Sequence, residues 1–167
     1  MPPRIGSLRI CRRGFTLIEI IIVLVVLAIL VTALVPRFSQ TARRLRVEKT
    51  AVELSGLLRY ANARAVTQAR NAAWVWNADS RRAQAGFLTV DGTLELFTER
   101  QAVTDTVDST FQVTVTSDDR PIEQIDFYPD GTALDAQINL QGAGKAYTIR
   151  IDGPTSQVAI EEGVSAR

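Results

Sequence analysis

One carboxylate in this chain stands where carboxylates are costly. Glu19 is the only charged residue in the run 15–35, which reads FTLIEIIIVLVVLAILVTALV. At about 1.5 Å per helical residue this run matches the roughly 30 Å hydrocarbon core of a bilayer. A carboxylate there costs a few kcal/mol, on the order of what insertion scales give, unless a cation meets it. The chemistry open to Glu19 is therefore ion pairing with a partner from outside the run.

Other chemistries are poorly provided for. There is no histidine and one cysteine, Cys11, so histidine triads and histidine metal sites are excluded. No Gly-x-x-x-x-Gly-Lys loop cradles a phosphate, and no Gly-x-Ser-x-Gly elbow presents a nucleophile. The acid pairs Asp118/Asp119 and Glu161/Glu162 fall in turn or terminal contexts and read as solvated surface charge. Asp105 and Asp108 leave a calcium site open in the polar stretch 98–110, although their spacing is not that of a recognised calcium loop. We expect no enzyme, no cofactor and no metal.

The elements that must position Glu19 are a helix and a head. Past the apolar run comes Pro36, which kinks a helix without necessarily ending it. Val47, Ala51, Leu54, Leu58, Ala61 and Ala65 then recur in steps of three and four, one apolar stripe on a helix that continues to about Arg70. From Ala72 the period changes to two. Trp74 and Trp76 share a face, as do Phe111, Val113 and Val115; Ile125 and Phe127; Ile138 and Leu140; Tyr147, Ile149 and Ile151; Val158 and Ile160. Turn residues separate these runs at Asp91-Gly92, Pro129-Asp130-Gly131, Gly142-Ala143-Gly144 and Asp152-Gly153-Pro154. The spacing predicts an α+β fold: a long kinked N-terminal helix packed on about seven antiparallel strands, with 98–110 as a long exposed loop.

Arg12-Arg13-Gly14-Phe15-Thr16-Leu17-Ile18-Glu19 followed by an apolar helix resembles the processing site of type IV pilins and type II secretion pseudopilins. The resemblance implies that a prepilin peptidase cuts between Gly14 and Phe15 and N-methylates Phe15. It also implies that Glu19 pairs with the N-terminal amine of a neighbouring subunit during filament assembly. Cys11 would leave with the leader, so the mature chain could form no disulfide. Further along, Ile125-Asp126-Phe127-Tyr128-Pro129-Asp130-Gly131-Thr132, Ile138-Asn139-Leu140 and Tyr147-Thr148-Ile149-Arg150-Ile151 resemble the closing half of the GspH/FimT-type pseudopilin domain. The chain then divides into a leader (1–14), a transmembrane helix (15–35), an amphipathic stalk (36–71) and a β-rich head (72–167). Many relatives carry a glycine within the apolar run, and this chain has none between Phe15 and Val35.

Rival readings of the same segment fare worse. An ordinary signal anchor needs no glutamate at its start. A twin-arginine export signal is partly imitated by 12–17, with Val31-Thr32-Ala33 as a small-residue cleavage site before Leu34, but the hydrophobic region of such a signal is shorter and carries no carboxylate. A lipidation box at Leu8-Arg9-Ile10-Cys11 lacks a preceding hydrophobic segment.

Charge separates two functions. Residues 36–82 hold 10 basic and 3 acidic residues (+7), whereas 83–167 hold 5 and 14 (−9). Cations flank both ends of the apolar run, so the positive-inside tendency does not orient it. The family resemblance does, with a single-pass helix in the bacterial inner membrane and the head in the periplasm. It implies a minor pseudopilin near the pseudopilus tip, working with the major and minor pseudopilins, the peptidase and the inner-membrane assembly platform to drive protein export. The alternative is a FimT/FimU-like minor pilin of a type IV pilus, some of which hold DNA during uptake. An acidic head argues against nucleic acid, because phosphate neutralisation dominates such affinity. Only Arg81 and Arg82 could begin a cationic stripe there.

Overall fold

The computed structural model describes residues 15–99 and 102–163, with the side chains of 31–40 left aside. The expected leader, including Gly14, lies outside these residues. The chain separates into two compact units, Met1–Ser39 and Gln40–Arg167.

One helix, α1 (Leu17–Gln68), runs through both units and keeps helical backbone through Pro36. It starts where Thr16 supplies a cap, and it stops just before Ala69, whose φ of 50° is left-handed. In the first unit every large apolar side chain described on the helix is exposed, Phe15 at 78% and Leu17 at 81%. Among the described residues no helical stretch is long and apolar enough to cross a membrane. The described side chains of the apolar run stop at Leu30, so the expected span 15–35 lies partly outside them.

In the second unit the expected stripe is buried throughout: Val47, Ala51, Leu54, Leu58, Ala61 and Ala65 all join the core. Nine strands follow among the described residues: β1 (Ala72–Asn77), β2 (Arg82–Leu88), β3 (Leu94–Leu96), β4 (Gln112–Ser117), β5 (Arg120–Pro121), β6 (Gln124–Phe127), β7 (Ala136–Gly142), β8 (Lys145–Asp152) and β9 (Gln157–Gly163). They form two antiparallel sheets, in the orders β3-β2-β1-β6 and β5-β4-β7-β8-β9. Trp74, Ile125 and Phe127 of the first sheet and Ile138, Leu140 and Ile149 of the second share one hydrophobic cluster with the helix stripe. Strands β1, β2, β6, β7 and β8 contribute alternate residues to it, as a half-buried sheet requires.

The turn chemistry follows the sequence. The β7–β8 hairpin closes through Ala143 (φ 50°) and Gly144 (φ 75°), a pair of positive φ values matching a type I′ turn. At the Pro-Asp-Gly turn, Gly131 takes φ 86°, and the Asp130 carboxylate accepts from the Thr132 N–H at 3.0 Å.

Two expectations need correcting. Three strands, β2, β3 and β5, lie where no alternation was read; in β2 the buried face is Ala83, Ala85 and Phe87, small residues that give a weak pattern. Gly86 admits β3 beside it, since a side chain there would strike the Glu95 carbonyl oxygen. Of the stretch 98–110, expected as an exposed loop, the described segment 102–110 is instead a partly buried strap. Ala102 and Val107 enter the core, Thr104 is buried, and Val103 bridges Gln84.

Candidate assembly site

The first turn of α1 is built as a cap. Thr16 precedes the helix, and its hydroxyl oxygen accepts from the Glu19 N–H at 3.3 Å. The Thr16 carbonyl accepts from Glu19 N–H at 3.1 Å and from Ile20 N–H at 3.3 Å. Thr-x-x-Glu is the residue order of a capping box, and a carboxylate in the first turn also suits the positive end of the helix dipole. Glu19 is exposed, and its neighbours Ile18, Ile20, Ile21 and Ile22 are exposed with it. Among the described residues no cation pairs with the Glu19 carboxylate. What the arrangement offers is an anion at the start of a helix whose apolar surface nothing in the described chain covers. A surface of that kind belongs against lipid or against another copy.

Four arginines in and beside the head, Arg64, Arg70, Arg81 and Arg82, are spent on fastening. The Arg81 guanidinium donates to three carbonyls of the strap and its exit: Val107 at 3.1 Å, Asp108 at 2.8 Å and Phe111 at 2.6 Å. Its own carbonyl accepts from the Val107 N–H at 2.9 Å. Arg82 donates to the Thr106 hydroxyl at 2.8 Å. The pair that could have begun a nucleic-acid stripe is thus committed within the fold. Arg64 sits over Phe97, Phe87 and Tyr60 and pairs with Glu99 at 3.2 Å. Arg70 lies 4.3 Å from the Phe87 ring centre and pairs with Glu95 at 3.0 Å. These two arginines tie the end of α1 to β2 and β3 by cation–π and ionic contacts.

Of the acids weighed as sites, Asp105, Asp108 and Glu162 are similarly occupied. Asp105 meets Lys49 at 3.4 Å, and the bonds Lys49 makes to Glu53 and Asp105 hold its ammonium above its ordinary range. Asp108 accepts from the backbone and hydroxyl of Thr110, which hold its carboxyl below the usual range. Among the described residues no group of three or more acidic or thiol side chains could hold a metal ion. Asp118 and Asp119 form a tight turn at positive φ. Glu162 pairs with Lys145 at 2.7 Å, and that bond is the main reason the lysine is held above its ordinary range. Arg81 as the anchor of the strap had no signal in the sequence, because bonds from a guanidinium to carbonyls leave no residue pattern.

Comparison with known proteins bears on both ends of the chain. Residues 9–35 match the prokaryotic N-terminal methylation motif, and residues 50–155 match the family described as type II transport protein GspH. The comparison with curated proteins finds no match. Among solved structures, the type IV minor pilin FimU of Pseudomonas aeruginosa is 20% identical, with a TM-score of 0.58 over 71% of this chain and 90% of that one. The minor pseudopilin EpsH of Vibrio cholerae is 13% identical, with a TM-score of 0.56 over 73% and 99%. A second EpsH structure gives 14% identity and 0.58 over 72% and 97%. These likenesses show a shared pilin-like fold, a helix packed on antiparallel sheets. With the GspH match spanning most of its length behind a prepilin-type N-terminus, the chain belongs to the type II transport protein GspH family of pilin-like structural subunits.

Proposed function

We propose that this chain is a minor pseudopilin of a type II secretion system. It is made as a precursor, cut by a prepilin peptidase between Gly14 and Phe15, and methylated on the Phe15 amine. Residues 15–35 then anchor it as a single helix in the inner membrane with its head in the periplasm, and Pro36 gives the rod a bend where it leaves the bilayer. Assembly with other pseudopilins brings the Phe15 amine of one subunit to the Glu19 carboxylate of another. That contact relieves an anion which lipid alone would leave unpaired.

The observation that carries this reading is the match of residues 50–155 to GspH behind the methylation motif at 9–35. The apolar run 15–35, exposed where described and with Glu19 as its lone charge, gives it a physical reason. A second reading has its own support: the fold is as similar to the pilus subunit FimU as to EpsH. The engaged Arg81 and the acidic head weigh against a DNA-holding version of that reading. Deletion of the chain in its host tests the choice. Loss of exoprotein secretion with pili intact, restored by the wild-type chain, is the expected result. Loss of pili with secretion intact would overturn it in favour of the pilus.

A further inference from the structure

Just beyond the apolar run, α1 carries a cluster of cations that the fold leaves largely uncommitted. Arg43, Arg44 and Arg46 are exposed, and Lys49 follows one turn later. Lys49 is drawn to Glu53 at 3.0 Å and Asp105 at 3.4 Å. Arg43 and Arg46 feel Asp108 only through space, and the nearest acid to Arg44 in sequence is the exposed Glu48.

Three features of this cluster point to one kind of partner. The first is its place on the stripe. Val47 is the first buried residue among the described side chains of α1, and Arg43 stands four residues earlier on the same face. The core therefore ends where the cations begin. The second is distance along the helix. Arg43, Arg44 and Arg46 come eight, nine and eleven residues after Val35 in the chain. Long arginine side chains that close to the end of a membrane span extend their charged heads toward the headgroup layer that borders the roughly 30 Å hydrocarbon core. The third is angular spread. At about 100° per residue, Arg43, Arg44 and Arg46 fall near 0°, 100° and 300°, an arc of about 160° around the helix. That arc is wider than the stripe of about 100° by which one helix usually packs on a neighbour, whereas a lipid leaflet meets all of it.

We propose that Arg43, Arg44 and Arg46 form a cationic collar that binds the phosphate headgroups of anionic phospholipids on the leaflet beneath the head. This rests on the anchoring of residues 15–35 proposed above. It also gives a reason for cations on the translocated side of the span, where the positive-inside tendency disfavours them. The collar sets the depth of the helix and favours anionic over zwitterionic lipid around it.

The test uses the full-length chain reconstituted in phosphatidylcholine vesicles doped with a photoactivatable phosphatidylglycerol or, in parallel, a photoactivatable phosphatidylcholine. Labelling of residues 37–49 is expected to favour phosphatidylglycerol by about fivefold or more, the factor corresponding to one arginine at an anionic surface. The excess should vanish in R43Q/R44Q/R46Q, which should still float with the vesicles and keep the tryptophan spectrum of the folded head. Equal labelling by the two probes, or an excess that survives the triple substitution, would overturn the collar while leaving the anchor intact. Cross-links from this stretch to a second copy without any lipid excess would assign it to a subunit contact and overturn the inference too. A parent chain that fails to float with vesicles would instead refute the anchor on which the inference rests.

Discussion

Replacing Arg81 by alanine should loosen the strap 102–110 from the head. The guanidinium makes three bonds, at 3.1, 2.8 and 2.6 Å, to carbonyls that lie 26, 27 and 30 residues away in the chain. Hydrogen bonds involving a charged group contribute on the order of 1.5–3 kcal/mol each. Arg81 is only half-buried, so water can replace part of each bond, and about 1 kcal/mol apiece is the fairer estimate. That gives a loss of about 3 kcal/mol. Arg81 also sits at φ 52°, where a side chain costs roughly 1 kcal/mol. R81G should therefore recover about 1 kcal/mol relative to R81A, and R81K should recover less than one of the three bonds because its single ammonium cannot span them. The assay is urea unfolding of the full chain in mild detergent, followed by the fluorescence of Trp74 and Trp76, together with amide exchange at Thr104, Val107 and Phe111. Faster exchange at these amides should accompany the loss of stability. A loss below about 0.5 kcal/mol with exchange unchanged would show that the strap is held by the burial of Ala102 and Val107, and the reasoning would be wrong.

Other perturbations follow from the same contacts. Gly86→Ala places a methyl group against the Glu95 carbonyl and should cost about 1–3 kcal/mol by overpacking, seen as a lower unfolding midpoint; an unchanged midpoint would mean that β3 shifts freely. Asp108 and Asp130 have carboxyl pKa values lowered in the fold, chiefly by backbone bonds from Thr110 and Thr132. Their stabilising effect is therefore fully present above the unfolded value near 4 and is lost as pH falls through the lower folded value. Thermal unfolding should show that acid-side loss shrinking in Asp130→Asn, and an identical pH profile in the variant would contradict it. Glu19→Leu should still insert in the membrane but fail to co-purify with other pseudopilins, and undiminished co-purification would refute the proposed ion pair.

Much of the head was legible because its physics is periodic. The stripe from Val47 to Ala65 and the alternation in β1, β4, β6, β7 and β8 write burial directly into residue order, whereas in β9 Val158 is only half-buried and Ile160 is exposed. Asp130-Gly131 and Ala143-Gly144 write their turns the same way, through the positive φ that such turns demand. What escaped was set by tertiary contact. Strand β2 buries alanines, which resemble helix formers more than strand residues, and β3 and β5 are too short to show a period. The strap is polar in composition, yet it is drawn inward by Arg81 and by the Thr104 hydroxyl, which accepts from the Ala83 N–H at 3.0 Å. At the other end, the unusual position of Glu19 was plain from the sequence, while its capping bond to Thr16 depends on the helix beginning at Leu17.

The claim on which assembly depends is that the chain begins at Phe15, since only then does a free amine lie four residues from Glu19. Intact mass and N-terminal sequencing of the chain purified from host membranes measure this directly. The expected species lacks residues 1–14 and carries one methyl group on the Phe15 amine, and Gly14→Glu should leave the full-length precursor. A membrane form that still begins at Met1 in cells with an active prepilin peptidase, or one that begins at Leu34 as an export signal would leave it, would contradict the account.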